Sequence, residues 1–183
     1  MKTTITFSDI AHREHTAKVI PLGISMIAAY AYKHFKDKIN VEIFKSADSF
    51  TQYIDKNIPK IACFANYIWN ANLSYQAASR IKKKEPGTIT VFGGPNYSLN
   101  EVQEQKEFLI SHPNIDFYIV GEGEEPFVNL LKELFKHNFD VKKVKEQKLK
   151  IGGCHYIING EFITSPMPKP IANLDDIPSP YLL

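Results

Sequence analysis

Five short strand-like runs alternate with five helical patterns along residues 1–137, and this alternation limits the possible folds more than any other feature of the sequence. The runs are rich in β-branched and aromatic residues, and they cover residues 3–7, 39–44, 60–65, 88–92 and 116–120. The helical patterns cover residues 21–35, 49–57, 73–84, 101–110 and 126–137. Strands that alternate with helices in this way form parallel sheets, and right-handed crossovers place the helices on both faces. We therefore predict an α/β domain with a five-stranded parallel sheet.

The composition changes after residue 140. Residues 141–150 carry five lysines, which predicts a solvated connector. Two short apolar runs then flank Asn159-Gly160, a dipeptide typical of tight hairpin turns. Prolines interrupt the remaining residues, as in a linker. The sequence thus predicts three parts: an α/β domain (1–140), a basic connector with a β-hairpin (141–165) and a proline-rich linker (166–183).

The overall composition is that of a globular protein. Hydrophobic residues make up 44% of the 183 residues and charged residues 23%, so the chain can bury a core without disulfides or metals. The net charge of +2 is too small to indicate a nucleic-acid partner. The two cysteines, Cys63 and Cys154, have the spacing of neither a disulfide framework nor a metal site, which is in keeping with a reducing cytosol.

No segment predicts export or membrane insertion. Residues 1–7 run directly into a strand and contain no apolar signal core. The most apolar segment, residues 19–32, is too short to span a bilayer and is interrupted by Pro21, Gly23 and Ser25. We expect a cytoplasmic protein.

The strongest signal for a binding site is the abrupt end of the fourth strand at Gly93-Gly94-Pro95. Glycines let another molecule approach the backbone, and parallel α/β sheets bind ligands at the carboxyl ends of their strands. The loops at that edge cover residues 8–21, 66–70, 93–97 and 121–125. Their small residues, amides and aromatic rings suit a large, flat, amide-rich ligand. Two alternatives stay open: a tight turn with no ligand at Gly93-Gly94, and a core position for Tyr67 and Trp69.

Catalytic motifs are scarce. The sequence has no nucleophile elbow, no P-loop lysine motif and no Gly-x-Gly-x-x-Gly after the first strand. Asp9, His12 and His15 could bind a metal, although histidines in a polar loop are more often simply solvated. Glu122 and Glu124 could form an acid/base pair, but their position better suits the amino terminus of the following helix.

A phosphorelay receiver domain would share the predicted fold. It needs an acidic pair after strand one and an aspartate after strand three, where this chain has Ala65-Asn66. The receiver class is therefore disfavoured, and we predict neither catalytic residues nor metal ligands in this chain.

Five short motifs occur together in an order typical of one family. They are PLG at 21–23, YIWN at 67–70, FGGP at 92–95, GEGE at 121–124 and LDDIP at 174–178. Their order and spacing resemble the amino-terminal cobalamin-binding domain of B12-dependent radical SAM proteins, over essentially the whole chain.

The resemblance implies a Rossmann-like (flavodoxin-like) domain that holds cobalamin over the carboxyl edge of the sheet, with the nucleotide tail beside Gly93-Gly94. It also implies a C-terminal radical SAM domain of the same parent chain. That domain would bind S-adenosylmethionine and a 4Fe–4S cluster through a Cys-x-x-x-Cys-x-x-Cys motif, which these 183 residues lack. The chain by itself is then not expected to be catalytic.

Two departures from related cobalamin domains bear on the cofactor. Domains of the methionine-synthase type carry Asp-x-His-x-x-Gly after strand one, whereas the spacing from Asp9 to His12 differs and no glycine follows. We therefore expect cobalamin to bind base-off, without a histidine ligand from that motif. The serine that often follows strand three in the family is also absent near Ala65 and Asn66.

The resemblance assigns cofactor contacts to the loops at the carboxyl edge. The implied residues are Leu22, Gly23, Asn66, Tyr67, Trp69, Gly93, Gly94, Pro95, Asn96, Tyr97, Gly121, Glu122 and Gly123. In the full-length protein this module would support methyl transfer or a related radical reaction. The alternative is a degenerate domain that keeps the fold, binds no cobalamin and serves as an interaction platform for the radical SAM domain or a substrate protein.

Overall fold

A computed structural model describes residues 2–11 and 20–182, which form one seven-stranded sheet and six α-helices. The strands are β1 (Thr3–Ala11), β2 (Ile39–Ser46), β3 (Ile61–Ala65), β4 (Ile89–Gly93), β5 (Phe117–Ile119), β6 (Cys154–Ile158) and β7 (Glu161–Ile163). The helices are α1 (Leu22–Phe35), α2 (Ala47–Lys56), α3 (Ala71–Lys84), α4 (Val102–Ser111), α5 (Glu124–Lys136) and α6 (Val141–Glu146).

The first five strands form the parallel part of the sheet, in the order β2-β1-β3-β4-β5. A row of apolar residues crosses it, because Phe7 pairs with Cys63, Cys63 with Val91 and Val91 with Phe117. The chain passes from β1 to β2 on one side and later returns to place β3 on the other, so the switch point lies between β1 and β3. The predicted Rossmann-like α/β fold is confirmed, and β1 extends to Ala11 rather than ending at Phe7.

Helices cover both faces of the sheet, as predicted. We call the side covered by α1, α5 and α6 the α1/α5 face; its core includes Phe7, Ala28, Ala31, Cys63, Val91, Ile119, Phe127 and Val144. We call the opposite side the α2–α4 face; its core includes Phe50, Ile54, Phe64, Ala78, Phe92, Leu109 and Tyr118.

The predicted count of five strands is wrong, because the C-terminal hairpin joins the sheet. Ile119 of β5 pairs with Cys154 of β6 in antiparallel orientation, and β7 then pairs with β6. The hairpin turn itself lies where it was predicted, with positive φ at both Asn159 and Gly160. An apolar strand β6 covers the edge of β5 that would otherwise be unpaired. The sheet therefore has seven strands, five parallel and two antiparallel.

The connector predicted as solvated is instead partly folded. Helix α6 begins after Asp140, whose carboxylate accepts a first-turn backbone N–H at 3.0 Å, and it buries Val144 completely. Lys145 extends over the Phe117 ring, with Nζ 5.2 Å from the ring centroid, and burial lowers the pKa of its ammonium group. The lysine count overstates solvation here because long lysine stems can pack on apolar surface.

The proline-rich segment, residues 166–182, contains two short 3-10 turns and lies against the α/β domain. The Met167 side chain contacts Gly121, and Lys33 of α1 donates to the Asp176 carbonyl at 2.6 Å. The division of the chain into three parts stays a prediction. Over the described ranges 2–11 and 20–182, every helix is too short or too polar to cross a bilayer.

Candidate functional site

A cavity of about 400 Å³ opens at the carboxyl edge of the sheet, between the strands and the helices of the α1/α5 face. Its volume lies within the usual range for small-molecule pockets, roughly 300–1,000 Å³. The strands contribute Phe7, Cys63, Val91 and Ile119 to its lining, α1 contributes Gly23, Ile24 and Ile27, and α5 contributes Glu124 and Phe127. The walls are mostly apolar, which suits the ring or edge of a flat organic ligand.

The structure brings eight of the thirteen implied site residues together around this cavity. They are Gly23, Tyr67, Gly93, Gly94, Pro95, Gly121, Glu122 and Gly123. The other five lie outside its lining: Leu22, Asn66, Trp69, Asn96 and Tyr97. Leu22 and Trp69 are exposed at the surface, whereas Asn66 and Tyr97 are buried within the protein.

Gly94 is required by the fold itself. Its φ of +130° is strained for any other residue, and a Cβ there would lie 2.6 Å from the Asn66 carbonyl oxygen. A Cβ at Gly93 would also be crowded, at 3.3 Å from the Ile119 carbonyl oxygen. Both glycines therefore let the β4–α4 loop pack against its neighbours, in addition to lining the cavity.

The Asn66 side chain holds the β4–α4 loop through hydrogen bonds. Its side-chain amide donates to the Asn96 carbonyl and to the Tyr118 hydroxyl, both at 2.9 Å. The Tyr118 hydroxyl in turn donates to the Gly94 carbonyl at 2.8 Å. The resemblance implies that Asn66 contacts the cofactor, and that contact stays a prediction; in the structure its side chain holds the glycine loop in place.

Tyr97 has a similar supporting position. Its ring stacks on Tyr118 with centroids 4.0 Å apart, and its hydroxyl lies 3.2 Å from Nδ1 of His155 on β6. Burial raises the pKa of Tyr97 and lowers that of His155, so it favours the neutral form of each group. Tyr97 thus stacks on Tyr118 of the protein, and its contact with a cofactor stays a prediction.

Tyr67 and Trp69 form a stacked pair beside the cavity, with ring centroids 4.6 Å apart and planes only 7° from parallel. Tyr67 lines the cavity, and Trp69 stacks on its ring from outside the lining. Because Trp69 is 65% exposed, the interpretation of Trp69 as a core residue is wrong. The pair forms part of the rim of the cavity.

The charged residues of the cavity lining are Glu122 and Glu124. Burial raises the pKa of Glu124, and the nearby Glu122 adds to that rise, while backbone N–H groups at the start of α5 oppose it. Glu124 is the first residue of α5, as expected for a carboxylate that stabilises a helix amino terminus. Their interpretation as an acid/base pair stays a prediction.

The candidate metal ligands His12 and His15 lie outside the described residues. Among residues 2–11 and 20–182, no group of three or more His, Cys, Asp or Glu side chains could hold a metal ion.

Sequence reasoning missed the apolar wall of the cavity. Phe7, Cys63, Val91 and Ile119 read as ordinary core residues, because they alternate inward along buried strands. All four side chains belong to the core of the α1/α5 face, but only Ile119 ends its strand, so position along the strands gave no signal for the cavity. Ile27 and Phe127 of the covering helices carried no signal either.

Comparison with known proteins identifies the domain. A family model described as "B12 binding domain" matches residues 11–131. The cobalamin-dependent radical SAM methyltransferase TokK of Streptomyces tokunonensis is 29% identical over 125 residues. The 2-(S-pantetheinyl)-carbapenam-3-carboxylate methyltransferase of Streptantibioticus cattleyicolor is 27% identical over the same length. In both cases the match covers 68% of this chain and 17% of the relative, so the chain spans only a small part of their length.

Solved structures agree on the fold. The cobalamin-dependent S-adenosylmethionine radical enzyme OxsB, in a structure with aqua-cobalamin bound, matches 99% of this chain and 24% of its own with a TM-score of 0.67 and 17% identity. The DrrB receiver domain matches 74% of this chain and 99% of its own with a TM-score of 0.50 and 14% identity. The alternative of a degenerate domain finds no support in these comparisons. With two thirds of its length covered by the family model, this chain belongs to the B12-binding domain family.

Proposed function

We propose that the chain is the cobalamin-binding module of a B12-dependent radical SAM protein. The family match and the cavity at the carboxyl edge support the proposal. When bound, cobalamin supplies a cobalt centre that can accept and transfer a methyl group. In the full-length protein the module would serve methyl transfer or a related radical reaction, while a C-terminal radical SAM domain would hold S-adenosylmethionine and a 4Fe–4S cluster.

Gly23 is the observation that carries this proposal. A Cβ at this position would meet only the Tyr67 hydroxyl, at the ordinary contact distance of 3.8 Å, so packing within the protein does not demand a glycine. A glycine in a helix interior costs about 1 kcal/mol relative to alanine, and Gly23, the second residue of α1, costs at most that much. Any larger side chain would enter the cavity, and glycine is therefore explained by the need to keep that space open for a ligand.

The residues around the cavity fit a corrinoid with an extended nucleotide tail. Gly93, Gly94 and Pro95 would let the tail lie close to the backbone. Gly121 and Gly123 also line the cavity, although the Met167 and Ile27 side chains already pack against them. The mostly apolar walls would accept the planar base of the tail, as base-off binding requires. Among the described residues, the cavity lining includes no histidine that could replace that base.

The remaining implied residues would act at the rim or through the loops. Tyr67 and Trp69 would present aromatic surface to the cofactor, and Leu22 would contact it from the start of α1. Asn66, Asn96 and Tyr97 would shape the glycine loop. The two cysteines are both buried and unpaired, which suits a protein of the reducing cytoplasm, where we place the module.

Titration of the 183-residue chain with hydroxocobalamin tests this function. The wild-type chain should retain one equivalent on gel filtration and give a base-off visible spectrum. Gly23→Trp fills the cavity and should weaken binding at least about tenfold. Tyr32→Trp is the matched control: it adds an indole nine residues along α1, on the opposite side of the helix, and should bind like the wild type.

Two outcomes would contradict the proposal. A base-on spectrum would mean that the tail base stays on cobalt and does not occupy the cavity. No retention of hydroxocobalamin by a chain whose circular dichroism shows it to be folded would remove the cofactor function itself.

A further inference from the structure

Three polar side chains form a continuous chain of contacts next to the cavity rim. Lys45 at the end of β2 donates to Oδ2 of Asp9 on β1 at 2.6 Å. The other carboxylate oxygen of Asp9 accepts from the Asn70 side-chain amide at 2.9 Å. The Asn70 side-chain oxygen then accepts the backbone N–H of Tyr67 at 2.8 Å. The contacts thus run from β2 through β1 to the loop that follows β3.

These contacts are shielded from water. The Asp9 side chain is 14% exposed and that of Lys45 27%, and Asn70 is 1% exposed. Hydrogen bonds to a charged group are stronger than neutral ones, and shielding limits the screening that weakens surface ion pairs. Asp9 therefore fixes the orientation of the Asn70 amide more firmly than solvent contacts could.

The role of Asn70 is not that of a usual helix cap. It precedes α3, where an asparagine side chain ordinarily accepts a hydrogen bond from the first turn of the helix. Here the side chain makes no such bond and turns back to Asp9 and to the Tyr67 N–H. The helix needs the Asn70 backbone carbonyl, which accepts from Ser74 at 2.8 Å, but it does not explain the side chain.

Asn70 closes the tight turn that begins at Tyr67, and this turn contains the stacked rings of Tyr67 and Trp69. The Tyr67 carbonyl accepts from the N–H groups of Asn70 and Ala71 at 3.1 and 2.9 Å, so Tyr67 is fixed from both its N–H and its C=O. Its ring lines the cavity and stacks on Trp69. A change in the Asn70 amide would therefore move aromatic surface at the cavity rim.

We propose that Asp9 is a positioning residue which, through Asn70, sets the stacked Tyr67–Trp69 pair at the rim of the cavity and thereby sets the affinity for cobalamin. The inference rests on the proposed function for the ligand, whereas the positioning of the rings can be measured without any ligand.

Asp9→Ala tests the inference with two readouts. Trp69 is the sole tryptophan of the chain, so fluorescence excited selectively at tryptophan, and not at the nine tyrosines, reports on this pair. Without cofactor, the variant should show emission at longer wavelength and stronger quenching by acrylamide, because the Trp69 ring loses its stacked partner. Hydroxocobalamin should bind about tenfold more weakly, as expected for the loss of a hydrogen bond to a charged group.

Asp116→Ala is the matched control. Asp116 has the same 14% side-chain exposure, pairs with Lys82 at 2.5 Å and accepts from a backbone N–H, but it precedes β5 at the opposite edge of the sheet. It should lower the free energy of unfolding and leave the Trp69 emission and the affinity unchanged. Equal changes in both variants would assign a merely structural role to Asp9 and overturn the inference.

A double-mutant cycle with Asn70→Ala tests the route of the effect. If Asp9 acts through Asn70, the Asp9→Ala/Asn70→Ala chain should bind no more weakly than Asn70→Ala alone. Additive losses, or an unchanged Trp69 emission in a folded Asp9→Ala chain, would overturn the inference. If the emission shifts as expected but the wild type retains no hydroxocobalamin, the proposed function fails while the positioning of the rings by Asp9 stands.

Discussion

Both faces of the sheet are covered by helices, yet they differ at the carboxyl edge. On the α1/α5 face the edge opens into the cavity, between Gly23 of α1 and the strand ends. On the α2–α4 face, aromatic rings occupy the corresponding level. Phe50 and Phe64 lie 5.5 Å apart, and Tyr97 and Tyr118 lie 4.0 Å apart, between ring centroids.

Side-chain volume explains the difference. At the cavity, α1 contributes Gly23, which has no side chain, beside the partly buried Ile24 and Ile27, whereas α2 places the fully buried ring of Phe50 against the sheet. The backbone layout is the same on both faces, since parallel strands end at a common edge. A binding space therefore depends on which helix leaves room above the strand ends.

The filled face also supports the open one. Tyr118 belongs to the α2–α4 core, but its hydroxyl joins the Asn66 amide to the Gly94 carbonyl. The loop that borders the cavity is thus held by groups on the other side of the sheet. Rigid packing on one face lets the other face remain open without the loop collapsing into it.

Equal truncations on the two faces should have unequal effects. Phe50→Ala should lower the free energy of unfolding by about 3–5 kcal/mol, because Phe50 is 1% exposed and its removal leaves an enclosed void. Ile27→Ala should cost only about 1–2 kcal/mol, since Ile27 is partly buried and borders space that is already open. Urea denaturation followed by circular dichroism measures both. Similar costs would mean that the α1/α5 face is as tightly packed as the other.

The link between the faces predicts a smaller effect for Tyr118→Phe. This variant leaves the Gly94 carbonyl without its donor and removes one acceptor of Asn66, which should cost about 2 kcal/mol. Tyr156→Phe is a matched control, because Tyr156 is equally buried but makes a single bond, to the Leu149 carbonyl, and should cost about 1 kcal/mol. If the two variants lose equal stability by the same urea measurement, the Tyr118 hydroxyl does not support the glycine loop.

Local patterns in the sequence were enough to predict the parallel fold. The periodic spacing of apolar residues in strands and helices, and breaks such as Gly93-Gly94, are properties of neighbouring residues. They can therefore be recognised without tertiary information. The hairpin at Asn159-Gly160 was predictable for the same reason. Its pairing with β5 was not, because the choice of a strand partner depends on which sheet edge is free.

The functional details were less predictable, since they depend on distant residues. Asn66 was predicted to contact the ligand, whereas its side-chain amide donates a hydrogen bond to the hydroxyl of Tyr118, which is 52 positions away in sequence. The apolar wall of the cavity could not be predicted from the sequence. An inward-facing residue such as Val91 has the pattern of a core residue whether a helix or a cavity lies next to it. Eight of the implied residues line the cavity because glycine-rich strand ends mark the edge of the sheet even when individual contacts are unknown.

The smallest expected effect, of opposite sign, compares two glycines that line the same cavity. Gly23→Ala should raise the free energy of unfolding by up to about 1 kcal/mol, because Gly23 lies in α1 and its new Cβ would meet only the Tyr67 hydroxyl. Gly94→Ala should instead be destabilising, because its φ is +130° and its Cβ would meet the Asn66 carbonyl. Thermal unfolding of both variants beside the wild type gives the direction of each change in stability.

A stabilised Gly23→Ala chain would show that this glycine lowers the stability of the fold, as expected for a residue that keeps the cavity open. A destabilised one would mean that packing around α1 already requires glycine, and the open face would then lack its main evidence for a ligand.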